Sequence, residues 1–331
     1  MTKRLTRSLA LSALMSATIA VAAPAFAQTQ IRVSTSSPAD NSLTRALQAI
    51  EAQMETAFPD DIDMSVHHSN ALFKQGTELP ALQRGNLEMS TPVTFEIEAQ
   101  MPEYGVFSAA YLFRDADHML EVFNGEVGER FYADVAEKLG IVILDAAYLG
   151  TRTVNLRDDR SVMVPGDLAG TKMRMPPAPA FQTLARALGA TAVSMPITEV
   201  YLALKTGAID GQDNPANLTR DWKFDEQTEQ VILTRHLVQP VFISIAKPVY
   251  DSLTPEQQTE LRAATEAAVD QQIAETKADE QAALEQFAAA GMTVAEPDLD
   301  AFRAAVAAEY EANGSLDDWV PGLYEQIVAM P

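Results

Sequence analysis

The stretch "VPGDLAGTKMRMPPAP" (164–179) sets one arginine, Arg174, between two methionines and follows it at once with a double proline. It reads as turn, short apolar strand and stiff exit. Successive strand residues take opposite faces, so Lys172 and Arg174 share one face while Met173 and Met175 take the other. A cation in that setting has two readings. It pairs with one of the chain's many carboxylates, or it presents a fixed fork of donors to a planar anion, most simply a ligand carboxylate. The prolines hold the strand end rigid, which lowers the ordering cost of binding.

Around this stretch strands and helices alternate. Residues 31–35 read as a first strand, 42–58 as an amphipathic helix with Leu43, Leu47, Ile50 and Met54 at helical spacing, and 62–68 as a second strand. A short helix over 77–84, ended by Gly85, leads to a third strand over 87–91. Residues 117–139 read as one helix stopped by Gly140, and "IVILDAAY" (141–148) as a buried strand. The alternation predicts an α/β fold with a mostly parallel sheet. "ALQRGNLEMS" (81–90) is echoed by "ALKTGAIDGQ" (203–212), as two lobes built on one plan would require. Thr254 and Gln257 form a capping box around Pro255, opening an alanine- and glutamate-rich helix that runs to about residue 290. At about 50 Å, from 1.5 Å per residue, it is long enough to span both lobes. A last helix covers 299–312, and Trp319 and Tyr324 tuck the tail against the body.

Lys3, Arg4 and Arg7, an apolar run over 9–22 and the small-x-small sequence Ala25-Phe26-Ala27 predict a cleaved secretory leader, residues 1–27. Losing it takes the net charge from −22 to −25, because three basic residues go with it. Such acidity argues against nucleic-acid binding, and no later run is long enough to span a bilayer. The absence of cysteine rules out disulfides, thiolate nucleophiles and Cys-ligated zinc.

The recognisable catalytic and phosphate-binding motifs are missing, so neither an enzyme nor a cofactor is expected. His67 and His68 are adjacent on a strand and cannot chelate together. His118 reads as part of a solvated helix face, His236 as structural, and no metal site is expected.

The runs "VPGDLAGTKMRMP" (164–176) and "PITEVYLALKTGAIDGQDNP" (196–215) together resemble the solute-binding proteins of tripartite ATP-independent periplasmic (TRAP) transporters, the dicarboxylate-binding type. "YLGTR" (148–152) and "SNALFKQGTELPALQRGNLEM" (69–89) fit the same pattern. The resemblance implies a two-lobed periplasmic binding protein, type II-like, with the long C-terminal helix spanning the lobes. Its lobes would be 28–149 plus 240–279 and 150–239 plus 280–331. It would close on a small organic acid and deliver it to TRAP membrane subunits. A periplasmic receptor reporting to a sensor kinase would use the same cleft, and a carboxylate-dependent hydrolase or lyase is the third reading.

On this resemblance the family's carboxylate-pairing arginine falls on Arg174, its asparagine on Asn214, and an arginine of some members on Arg152. Asp213 stands where the family commonly has glutamate. Val93 stands where sialic-acid binders carry a ligand-contacting glutamate, which counts against that sugar acid. Arg152 is expected to supply a second cation or a hinge salt bridge. Tyr148, Phe181, Ile197 and Phe242 flank the motifs as candidate walls, and Ser36, Glu78 and Thr91 as first-lobe contacts beyond strand ends. Dicarboxylates, 2-keto acids, sugar acids, aromatic acids and sulfonates all offer a group for Arg174.

Overall fold

The computed structural model describes residues 28–331; the expected leader, residues 1–27, lies outside the described residues. The first half contains β1 (Thr29–Ser34), α1 (Ser42–Ala57), β2 (Ile62–His67), α2 (Glu78–Gln83), β3 (Met89–Ser90), α3 (Thr94–Glu98), α4 (Ala116–Asn124), α5 (Glu126–Leu139) and β4 (Ile141–Leu156). Then come β5 (Lys172–Met175), α6 (Pro179–Ala187), β6 (Thr191–Ser194), α7 (Ile197–Thr206), β7 (Gly211–Pro215), α8 (Ala216–Asp221) and β8 (Gln230–Ala246). The chain closes with α9 (Lys247–Ser252), α10 (Pro255–Ala289), β9 (Thr293–Ala295), α11 (Leu299–Asn313) and α12 (Leu323–Val328).

The nine strands of the described residues form one sheet in the order β2-β1-β3-β8-β4-β7-β5-β6, with β9 on β8. The expected parallel pairing is found in two wings, β2-β1-β3 and β7-β5-β6. Between them the sheet is antiparallel, because β4 and β8 run against each other and against β7 and β3. These two strands have 16 and 17 residues, well beyond the usual 5–6. Their length lets each serve both wings: Ile141–Tyr148 of β4 pairs with the end of β8, and Arg152–Leu156 pairs with β7 and the start of β8.

The ladder is irregular at the crossing. Register shifts fall between Tyr148 and Gly150 and between Arg152 and Val154. Gly150 has φ 131°, and a Cβ there would sit 2.4 Å from the Pro215 Cβ, so only glycine fits. On β8, Arg235 takes φ 42° in the matching bulge and pairs with Glu296.

The 117–139 helix proves to be two, broken at Gly125, which is extended and caps both. A Cβ on Gly128 would meet the Phe123 carbonyl at 1.9 Å, so the tight junction depends on glycine. The third strand shrinks to two residues, and Asn214 lies on β7. His118 is not solvated: its Nε2 meets the Ile327 carbonyl at 3.0 Å, and its Nδ1 accepts from Arg114 N. The long helix forms with its Thr254–Gln257 capping box and packs on α1, β4 and α8. Trp319 stacks on Tyr324 and meets Tyr310 edge-on, anchoring the tail.

Candidate functional site

A cavity lies where the wings face each other across β4 and β8. Carboxyl ends of parallel strands feed it from both sides: Ser36 after β1, Thr91 after β3, Arg174 near the end of β5 and Asn214 near the end of β7. Glu78, Arg152 and Ile197 also line it.

Arg174 is 1% exposed and is the largest fully buried side chain among the described residues. Its Nε donates to the Met195 carbonyl at 3.0 Å, while its Nη2 has no partner. Burial first, and then repulsion from Arg152, push its pKa down to about 9, with Asp213 opposing; it is still a cation at neutral pH. Met173 and Met175 are fully buried, whereas Lys172, on the same face as Arg174, is exposed at the strand's start.

Arg152 resolves toward a salt bridge. Its Nε donates to Asp213 Oδ2 at 2.9 Å, and its Nη2 to Asp213 Oδ1 at 3.1 Å and to the Asp213 carbonyl at 2.6 Å. The guanidinium lies 4.9 Å above the Phe181 ring. Behind the pair, His236 Nε2 is 3.2 Å from Asp213 Oδ2 and its Nδ1 is 2.8 Å from Thr234 Oγ1. Burial raises the Asp213 carboxyl, but Arg152 and the hydrogen bond from His236 overcome it and hold it below the usual range. Burial also lowers His236, Asp213 opposing.

Asn214 is oriented by a buried amide relay. Its Nδ2 donates to Gln212 Oε1 at 2.5 Å, and Gln212 Nε2 donates to Asn155 Oδ1 and Thr219 Oγ1, each at 3.1 Å. One N–H and Oδ1 of Asn214 remain for a ligand.

Three expected walls are elsewhere. Phe242 sits in an aromatic core with Phe123 and Phe131, its centroid 5.1 and 5.3 Å from theirs. Its strand neighbour Val241 lines the cavity instead. Tyr148 gives its hydroxyl to Glu280 at 2.5 Å, and again the next residue, Leu149, faces the cavity. In both cases strand alternation sends neighbours to opposite sides. Phe181 lies beneath Arg152 and meets Phe95 edge-on at 5.1 Å, so it supports the wall that Phe95 forms.

Several lining residues carried no sequence signal, among them Ser37, Gln75, Trp222 and Glu96. Val93 does leave its position without a carboxyl, but Glu96, one turn on, brings one to the same cavity and accepts from Val93 N at 3.0 Å. Two hydrogen bonds close the cleft. Ile197 N donates to Gln75 Oε1 at 3.3 Å, and Asn41 Nδ2 donates to Asp221 Oδ2 at 2.8 Å. Among the described residues no group of three or more His, Cys, Asp or Glu side chains could hold a metal, and no helix is long and apolar enough to cross a membrane.

A cleft between two sheet wings, closed by polar contacts around one unpaired buried cation, defines a two-lobed solute-binding protein. The chain belongs to the family described as bacterial extracellular solute-binding protein, family 7, which it matches over residues 33–315. It is similar to a TRAP periplasmic solute binding protein from Roseobacter denitrificans solved with bound 3-deoxy-D-manno-oct-2-ulosonic acid (KDO). Identity is 37%, the TM-score 0.88, and the match covers 92% of this chain and 99% of that one. A TRAP periplasmic solute binding protein from Sulfitobacter sp. NAS-14.1 with bound β-D-galacturonate is 25% identical, with TM-score 0.84 and coverage of 90% and 98%. A solute-binding protein of Roseobacter denitrificans is 30% identical over 267 residues, 80% of each chain. Family members are periplasmic TRAP-type solute-binding proteins that work with membrane subunits; they are not enzymes.

Proposed function

We propose that this chain is exported to the periplasm, captures a small organic acid by hinge closure between lobes 28–149 plus 240–279 and 150–239 plus 280–331, and hands it to the membrane subunits of a TRAP transporter. One observation carries the ligand reading: the buried Arg174 guanidinium lines the cavity with Nη2 unpartnered, while the neighbouring Arg152 already has Asp213. A carboxylate would receive a bidentate, charge-assisted pair from Arg174 and the free N–H of Asn214. Closure then removes water from that pair and strengthens it. The bound KDO and galacturonate of similar proteins support a sugar acid as the ligand.

A fluorimetric thermal-shift screen against organic acids tests the ligand class. A true ligand at a hundredfold excess over its Kd stabilises by about 2.7 kcal/mol. Arg174→Ala should abolish that shift while leaving the ligand-free Tm near wild type. A folded Arg174→Ala protein with native affinity would end the carboxylate assignment.

A further inference from the structure

The cavity is electrically one-sided. Arg152 and Arg174 supply its cations from β4 and β5; the facing wall contributes the carboxyls of Glu78 and Glu96 and no cation. Glu78 opens α2 and is 6% exposed, and Glu96 stands in the first turn of α3. Glu78 is surrounded by Glu96 and the backbone N–H groups of Gly76, Thr77 and Glu78 itself, and Glu96 by those of Val93 and Gly76. The remaining charges at the site are Arg152 and Arg174 across the cavity, with Asp213 and His236 behind Arg152.

A ligand hydroxyl both donates and accepts, so it satisfies such a wall whether a carboxyl is ionised or neutral. A second ligand carboxylate only accepts. Here it would become a further buried anion beside two acids, on the wall that carries no cation of its own. Ser36, Ser37 and Thr91 on the same side add hydroxyls suited to a polyol.

We propose that Glu78 and Glu96 are the specificity-determining pair of this cavity, receiving the hydroxyls of a polyhydroxylated monocarboxylate held at its other end by Arg174 and excluding dicarboxylates. The inference rests on the carboxylate–Arg174 reading. Burial, reinforced by Glu96, pushes the Glu78 pKa up to about 8, and burial pushes Glu96 to about 7. As pH rises through this range the wall gains negative charge, and affinity for an anionic ligand falls.

Calorimetric titration of the mature protein with KDO, D-galacturonate and succinate at pH 6 and 8, a range in which Arg174 stays a cation, tests the pair. Wild type should bind at least one sugar acid about 100-fold more tightly than succinate, and lose affinity at the higher pH. Glu78→Gln should flatten that pH dependence. Glu78→Gln/Glu96→Gln should reduce the preference over succinate about tenfold. Gln matches the shape of the neutral acid, and each single variant is measured alongside in case the double variant fails to fold. The proposal is overturned by a wild type that prefers succinate or takes none of the three acids, or by folded variants that keep the wild-type preference and pH profile. Arg174→Ala in parallel separates the two levels. Binding that survives Arg174→Ala overturns the carboxylate reading, whereas binding that needs Arg174 but ignores both glutamates overturns only this inference.

Discussion

Asp213 grips Arg152 with both carboxylate oxygens, Nε to Oδ2 at 2.9 Å and Nη2 to Oδ1 at 3.1 Å, deep in the protein. The grip neutralises one of the two site cations and leaves the other, Arg174, for a ligand. Asp213→Asn would strand Arg152 as a buried charge without its partner, which costs about 3–5 kcal/mol. Urea unfolding at pH 7 should show that loss. Because the Asp213 pKa is depressed on folding, its contribution is fully present above the ordinary carboxylate pKa of about 3.9 and is lost as pH falls through the lower folded value. The gap between variant and wild type should therefore narrow in acid; a gap constant down to pH 3 would contradict the pairing.

Arg174→Lys keeps the charge but loses the planar fork. Affinity for the cognate acid should fall by at least about tenfold yet stay measurable, in contrast to Arg174→Ala. Equal affinity in the Lys variant and wild type would mean that a point charge suffices and that the ligand is not held bidentately.

The two cross-cleft bonds, Gln75 to Ile197 and Asn41 to Asp221, join the wings across the cavity mouth and would be lost if the wings separated. Each is worth about 0.5–1.5 kcal/mol. Gln75→Ala should speed ligand release roughly two- to tenfold with little change in association, as stopped-flow fluorescence would read. An altered association rate with unchanged release would place Gln75 outside the closed-state latch.

Gly150→Ala forces a Cβ to 2.4 Å from Pro215 at φ 131°. The strain and displacement should cost about 1–3 kcal/mol and lower Tm. A variant as stable as wild type would show that the β4 irregularity relaxes freely.

What the sequence revealed and what it hid follow from range. Arg174 was legible because a charge among methionines is a local anomaly, and the α10 cap because its bonds span three residues. The cavity walls needed a phase. Tyr148 and Phe242 face away from the cavity while their neighbours Leu149 and Val241 line it, an offset of one residue that a period of two turns into the opposite face. The mixed sheet was hidden because strand order depends on partners far apart, as with Met89 opposite Ile245. The latch from Asn41 to Asp221 joins residues 180 apart, and no local pattern announces it. Glu96 passed unnoticed because acidic residues are common in this chain, and only the fold decides which of them turns inward.

Sharing β4 and β8 between the wings has a further result. Neither wing has a complete sheet without them, and one continuous apolar core runs from Ile31 to Ile327 through residues of both. Cutting the chain at the crossing would give each fragment broken strands with open edges, so neither lobe is an autonomous folding unit. Heat should therefore melt the two wings together in one cooperative step, with calorimetric and van't Hoff enthalpies in agreement.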